Sequence, residues 1–177
     1  MTDTNLGTYS PEEVHFIISL PAADIVHMVS GYMDGTFINV SREVPLSSLY
    51  VGADNSGART LRTNRSATIT LSLHQSSGSN DVLTQLYLND QDAKDNTWLF
   101  NVLIKDSSGR SLYQGRQSFI GQLPDSGFST EISQRDWVIQ VRDLEQKIGG
   151  NAQYDPSDEA AITALGGTPD PRFASGA

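Results

Sequence analysis

The sequence predicts a mainly β fold, a barrel or sandwich with one packed α-helix. Three observations carry that expectation. First, Ala67–His74 alternates strictly: Ile69, Leu71 and Leu73 point one way, and Thr68, Thr70, Ser72 and His74 the other, as a half-buried strand requires. Second, the period then changes. Gln75 to Ser79 is a polar loop, Ser79 or Asn80 is placed to cap, Asp81 suits the positive end of a helix dipole, and Val82, Leu83, Leu86 and Tyr87 recur at helical spacing until Asn89 and Asp90. Third, fifteen glycines, seven prolines and many Ser, Thr and Asn fit a turn-rich β protein.

In chain order, Ser10-Pro11 is a turn signal and Glu13 to Leu20 alternates as a strand, with Val14, Phe16, Ile18 and Leu20 on one face. Asp24 to Tyr32 is a second, less regular strand. Asp34-Gly35 predicts a hairpin turn to a partner over Thr36 to Arg42, because both residues tolerate positive φ. After the anchor strand and helix, Trp98 to Asp106 is a strand with Trp98, Phe100, Val102 and Ile104 on one face, and Ser107-Ser108-Gly109 turns the chain. Ser111 to Gln122 continues as a strand bent at Gly115. Leu123 to Gly127 is a turn, and Phe128 to Ser133 and Asp136 to Leu144 are the last strands. Residues 1–144 therefore form one β domain. Residues 145–177, punctuated by Gly149-Gly150, Pro156, Gly166-Gly167, Pro169 and Pro171, form a partly irregular tail, loosely held or ordered on a partner, with a short helix over 157–165 capped by Ser157.

Residues 43–66 stand apart. The stretch is long, holds Pro45, Gly52 and Gly57, and lacks periodicity. From Arg42 to Ser66, four arginines (Arg42, Arg59, Arg62, Arg65) against Glu43 and Asp54 leave +2 in a chain of net charge −9. A loop of this length without secondary structure is uncommon in a compact domain unless it has a task. Its apolar residues Leu46, Leu49, Tyr50, Val51 and Leu61 want burial. One reading is a loop packed on its own domain; the sharper one is an arm that docks on a neighbouring molecule.

The totals exclude much. With 177 residues, 37% apolar and 19% charged, the chain supports one globular core. A net charge of −9 and a pI of about 4.6 argue against a general affinity for nucleic acid or anionic membrane. They leave room for a protein that lets DNA pass without gripping it. The absence of cysteine removes disulfides, thiolate metal sites and a cysteine nucleophile. The start MTDTNLGTYS lacks a basic n-region and an apolar run, so neither a signal peptide nor a membrane anchor is expected, and synthesis in the cytoplasm is.

Catalytic candidates are missing. His15, His27 and His74 lie on strands at spacings that do not converge on a metal. Asp54-Asn55-Ser56-Gly57 lacks the closing glutamate of a calcium loop, and no phosphate-binding glycine loop or Gly-x-Ser-x-Gly elbow occurs. The sequons at Asn39 and Asn64 are chance matches in the absence of a secretion signal. No cofactor, metal or enzymatic activity is expected.

Several motifs together do carry a resemblance. They are Tyr9-Ser10-Pro11-Glu12-Glu13-Val14; the run Val29-Ser30-Gly31-Tyr32-Met33-Asp34-Gly35-Thr36-Phe37-Ile38; Val51-Gly52-Ala53-Asp54; the strand Ala67 to Leu73; and Gln75-Ser76-Ser77-Gly78-Ser79-Asn80-Asp81-Val82-Leu83. From about Tyr9 to Leu144 the chain resembles the tail tube (inner tube) proteins of contractile-tailed bacteriophages, which are similar in fold to the ring-forming tubes of secretion systems and tailocins. The "Gly-x-x-Asp-Gly-Thr-Phe-Ile" run and the "Gln-x-Ser-x-x-Asn-Asp" joint are specific in combination and weak alone.

The resemblance implies a tail-tube-like barrel with one helix, whose sheets join between subunits into a hexameric ring barrel. Rings stack into a hollow structural tube, a long loop (residues 43–66) reaches the adjacent ring, and the genome is ejected through the bore. The implied partners are further copies of the chain, the tail sheath protein, baseplate and tail-terminator proteins at the ends, and the tape measure protein and double-stranded DNA held in the lumen without specific binding. The implied location is the virion. Arg42, Leu46, Leu49, Tyr50, Val51, Arg59, Leu61, Arg62 and Arg65 are the expected contacts to the next ring, with Asp90, Asp92 and Asp95 as acceptors. Asn39, Ser41, Thr68, Thr70, Ser72 and His74 are the expected lumen-facing residues. Other readings are the tube of a contractile injection or secretion system, a carbohydrate-binding β-sandwich and an unrecognised hydrolase. Trp98 and Trp137 argue against the carbohydrate reading, because they sit among apolar partners.

Overall fold

The computed structural model describes residues 6–175. Its regular elements are β1 (Val14–Leu20), β2 (Ile25–Met28), β3 (Ile38–Arg42), β4 (Ser47–Val51), β5 (Gly57–Leu61), β6 (Ala67–His74), α1 (Ser79–Ala93), β7 (Phe100–Asp106), β8 (Leu112–Gln122), β9 (Gln134–Lys147) and α2 (Pro156–Ala164). Seven strands form one sheet in the order β2-β1-β7-β8-β9-β6-β3, and β4 and β5 pair separately. The chain divides into two compact units. One holds Phe16–Leu103 and Tyr113–Glu145; the other holds Ile104–Leu112 with the described parts of Met1–His15 and Gln146–Ala177.

In the larger unit, alternation decides which face is buried. Phe16, Ile18 and Leu20 of β1, Ala67, Ile69, Leu71 and Leu73 of β6, Phe100 and Val102 of β7, and Trp137, Ile139 and Val141 of β9 are buried, and the intervening residues, polar except for Ile17 and Val138, face the other way. α1 adds the buried Leu83 and Leu86. It runs to Ala93, a turn beyond Asn89 and Asp90, and stops where Lys94 takes a left-handed conformation and its N–H bonds Asp90 O. Ser79 is held at the helix start: its Oγ accepts from Ser30 N–H (3.1 Å) and lies 3.0 Å from His27 Nε2.

The segment after β2 ties the first strand to β6. Val29 N–H bonds Phe16 O, Phe16 N–H bonds the Tyr32 hydroxyl, Met33 N–H bonds Ser72 O and His74 N–H bonds Gly31 O. Burial raises the Tyr32 pKa above the ordinary phenol value, partly opposed by the Phe16 hydrogen bond. Gly31 is required here on two counts: its φ is +77°, and a Cβ would lie 2.6 Å from Ser77 Cβ.

Four local expectations change. Asp34-Gly35 does not join a paired hairpin, because β2 pairs with β1 and β3 with β6; a turn signal reverses the chain but does not choose a strand's partner. The stretch 43–66 is not structureless: β4 and β5 pair from Ser47↔Leu61 to Val51↔Gly57, joined by a turn in which Asp54 Oδ1 accepts from Ser56 N–H and Oγ. The irregularity in β8 lies at Gln117 (φ +53°), after which burial moves from Gly115 to Ser118 and Ile120, as a bulge produces. Phe128–Ser133 is not a strand. It is an irregular loop exposing Phe128 and Ile132, held by Arg135, which donates to Ser133 Oγ and Gly127 O.

In the smaller unit, Arg110 organises the end of the chain. Its guanidinium stacks 4.0 Å from the Tyr154 ring centroid and 4.6 Å from that of Phe173, and it donates to Ala152 O. Ser111 Oγ donates to Gly149 O and accepts from Gly149 N–H, while Asn151 Nδ2 donates to Asp106 Oδ2 and Ser108 Oγ. Gly149, Asn151, Ala152, Tyr154 and Phe173 are thereby tied to the turn between β7 and β8, and the helix α2, which buries no residue, lies between them in the chain.

Candidate assembly surfaces

The β4–β5 hairpin gathers exposed apolar side chains of the larger unit. Leu46, Leu49, Tyr50, Val51 and Leu61 are between 53% and 75% exposed, and every residue of β5 is open to solvent. Cross-strand register puts Leu49 opposite Arg59 and Val51 opposite Gly57 on one face, with Tyr50 and Ala58 on the other. Leu46 follows on the Tyr50 face, where its carbonyl accepts from Arg62 N–H.

The four arginines of this region separate. Arg59 and Arg62 are exposed. Arg42 donates to Leu144 O at 3.0 Å. Arg65 holds Asp143 with Nε at 2.6 Å and NH2 at 3.0 Å, and Glu145 at 3.4 Å. Within the subunit the Arg65 guanidinium is therefore engaged by carboxylates of β9.

Asp90 and Asp92 lie in the last turn of α1, which has no basic residue, so they oppose the helix dipole. Asp95 is occupied locally: hydrogen bonds from the Thr97 side chain and N–H hold its carboxyl below the usual range.

The expected lumen residues share one sheet face. Asn39 pairs with Thr70 and Ser41 with Thr68; Thr68 pairs with Gln140, and Ser72 with Asp136. The Thr68 hydroxyl bonds Glu43 Oε1 and Gln140 Oε1. Gly121 belongs to the same face, since a Cβ there would lie 2.8 Å from Gln140 Cγ. Ser72 departs from expectation. It is 4% exposed and donates to Asp136 Oδ1, so it is covered within its own subunit. His74 Nδ1 lies 2.9 Å from Ser76 Oγ.

A groove went unseen in the sequence. It has a volume of about 540 Å³ and lies between the β1–β2 pair and α1, lined by Ile18, Leu20, Ile25, Val82, Leu86 and Trp98, with Asp81 as its one carboxylate. In the sequence these aliphatic residues were indistinguishable from core. The available signal was an excess of apolar side chains at Ile25, Val26 and Met28, which the short β2 leaves more than half exposed. Among the described residues no group of three His, Asp or Glu converges as a metal site, and no helix is long and apolar enough to cross a membrane.

The chain shares its fold with a chain of the anti-feeding prophage baseplate (TM-score 0.56, 9% identity, 82% of this chain and 97% of that one) and with one of the anti-feeding prophage tube-terminating cap (TM-score 0.53, 12% identity, 83% and 95%). The family model described as bacteriophage PhiTE tail tube protein matches residues 6–149, and the chain belongs to that family. It is 39% identical over 167 residues to the "Structural protein ORF10" of Pseudomonas phage KPP10, spanning 94% of this chain and 96% of that protein. It is thus a mainly β tail tube protein of a phage, a structural component of the tail.

Proposed function

We infer that the protein forms hexameric rings that stack into the inner tail tube, the conduit through which the genome leaves. One observation carries this: a single subunit leaves a hairpin of two five-residue strands in solvent with Leu49, Tyr50, Val51 and Leu61 exposed, together with two short sheet edges at β2 and β3. Further copies satisfy both. Edges pair around a ring, and the hairpin covers its apolar side chains on the next ring, each fully buried leucine contributing about 2 kcal/mol. Repetition around the ring turns modest contacts into a durable stack. Arg42, Leu46, Leu49, Tyr50, Val51, Arg59, Leu61, Arg62 and Arg65 are the candidate inter-ring contacts and Asp90, Asp92 and Asp95 their acidic partners; within the subunit Arg42 already donates to Leu144 O, Arg65 already pairs with Asp143, and Asp95 already accepts from Thr97, so Arg59 and Arg62 are the arginines left open.

The face built from Asn39, Ser41, Thr68, Thr70 and Gln140 is suited to a bore. Hydroxyls and amides hydrate readily and bind phosphate weakly, whereas a lysine or arginine lining would hold DNA through counterion release. Tape measure protein and DNA would then occupy the lumen without specific binding. The tail sheath, baseplate and terminator proteins would meet the outer wall and the ends. The role is structural and non-enzymatic, in the virion, after synthesis in the host cytoplasm.

The test is negative-stain microscopy of the purified protein and of a variant lacking Leu49 to Leu61. Rings and tubes from the first and rings or monomers alone from the second are expected. A wild type that stays monomeric at millimolar concentration, or a deletion variant with tubes of normal length, overturns the reading.

A further inference from the structure

We propose that the groove between β1–β2 and α1 receives, from a second copy of this chain, the face of the β4–β5 hairpin that carries Leu49, Val51, Leu61 and Arg59. The proposal rests on the tube reading and names a receptor distinct from the acidic end of α1.

Three observations meet. The groove is apolar over most of its wall, with the single carboxylate of Asp81 at its margin; its other titratable group, His27, is engaged by Ser79. The hairpin face is the complement, three aliphatic side chains and one guanidinium, set on one side by the register of β4 against β5. Each surface is uncovered in the same molecule: Leu49 is 75% exposed, so the hairpin does not fill its own subunit's groove. The opposite hairpin face, with Ser48, Tyr50, Ala58 and Thr60 and with Leu46 at its end, carries one large aliphatic side chain against three.

A second copy is the occupant these facts favour, because donor and receptor then occur in equal number and with matched charge. The contact uses two different patches, so it is heterologous and runs in one direction, as a stack requires. The volume of about 540 Å³ takes a few aliphatic side chains and not a strand pair, so the hairpin lies face down across the groove. Arg59 then reaches Asp81 at a rim partly removed from water, where the pair fixes register more than it adds affinity.

The chain has no cysteine, which makes thiol cross-linking specific. Val82→Cys is combined with Leu49→Cys or Val51→Cys, or with Tyr50→Cys as the opposite-face control, and assembled tubes are treated with a short thiol cross-linker. A ladder of linked subunits on a denaturing gel is expected for the first two pairs and not for the control. In parallel, R59E and D81R should each reduce tube number at least tenfold, and the R59E/D81R double variant should restore it. A ladder from Tyr50→Cys alone, or wild-type-like tubes with no ladder from any pair, overturns the groove while leaving the tube reading standing. Absence of rings and tubes from the wild type overturns both. The cross-link arm does not depend on the folding of D81R.

Discussion

The indole N–H of Trp137 donates to Asn80 Oδ1 at 2.9 Å, which ties the buried ring of β9 to the first turn of α1. Asn80 also donates through Nδ2 to His74 O at 3.1 Å, so one side chain joins β6, α1 and β9. The strand-to-helix joint is therefore a tertiary junction as well as a local turn. Asn80→Ala leaves a buried indole donor without a partner and should destabilise the subunit by about 2 kcal/mol. Asn80→Asp keeps the acceptor and should lose less. Urea unfolding followed by tryptophan fluorescence separates the two.

Gly31 and Gly35 both have positive φ, of 77° and 89°, but only Gly31 is crowded. At Gly35 a Cβ meets nothing within 4 Å. Gly35→Ala should therefore cost about 1 kcal/mol, the strain of a left-handed alanine. Gly31→Ala adds collision with Ser77 and should cost roughly 3 kcal/mol or more. Melting temperatures of the two variants should fall in that order; equal losses would refute the packing argument.

Ser118 is fully buried, and its Oγ has no hydrogen-bond partner. It follows Gln117, whose left-handed backbone shifts the burial pattern of β8 and turns Ser118 inward. An unpaired hydroxyl in apolar surroundings is costly, so removing it should help. Ser118→Ala should be neutral or stabilising by up to about 1 kcal/mol, measured by thermal denaturation. A loss above that range would mean the hydroxyl is bonded in solution.

Asp170 offers a pH readout in the smaller unit. Hydrogen bonds from the Arg172 side chain and N–H hold its carboxyl down to about 2. The folded value is depressed, so the pair supports this turn at every pH above the ordinary carboxylate range. That support is lost as pH falls from about 3.8 through about 2. Carboxyl-carbon NMR should show Asp170 titrating well below the ordinary carboxylate value of 3.8, and Arg172→Gln should raise it towards that value.

What the sequence disclosed was local. Ala67–His74 and the helix after it were legible because one chain segment carried both the alternation and the change of period. The β4–β5 hairpin was not, because both its faces meet solvent and neither strand needs to alternate. Partner choice was equally hidden: Ile38–Arg42 lies against β6 and not β2 because distant hydrophobic faces had to meet. The stacking of Arg110 between Tyr154 and Phe173 joins residues far apart in the chain, and no periodicity announces it. Of the candidate contact residues, the hairpin set could be named from its apolar, arginine-bearing composition. The groove could not, since its aliphatic lining reads like any core.

Arg65 shows how charge counting alone misleads. Its guanidinium grips Asp143 with two nitrogens and reaches Glu145, which also lies 3.7 Å from Arg116. The Arg65 side chain is 44% exposed and that of Asp143 27%, so the network is screened and modest. Arg65→Ala should cost no more than about 1 kcal/mol of subunit stability, a loss that shrinks further in 0.5 M salt. Because its carboxylates belong to its own β9, Arg65→Ala should still form tubes of normal length. R59E, with no partner in its own chain among the described contacts, should not. Counting tubes by negative stain for the two variants side by side decides whether the arginines divide into intrasubunit and intersubunit roles as their geometry indicates.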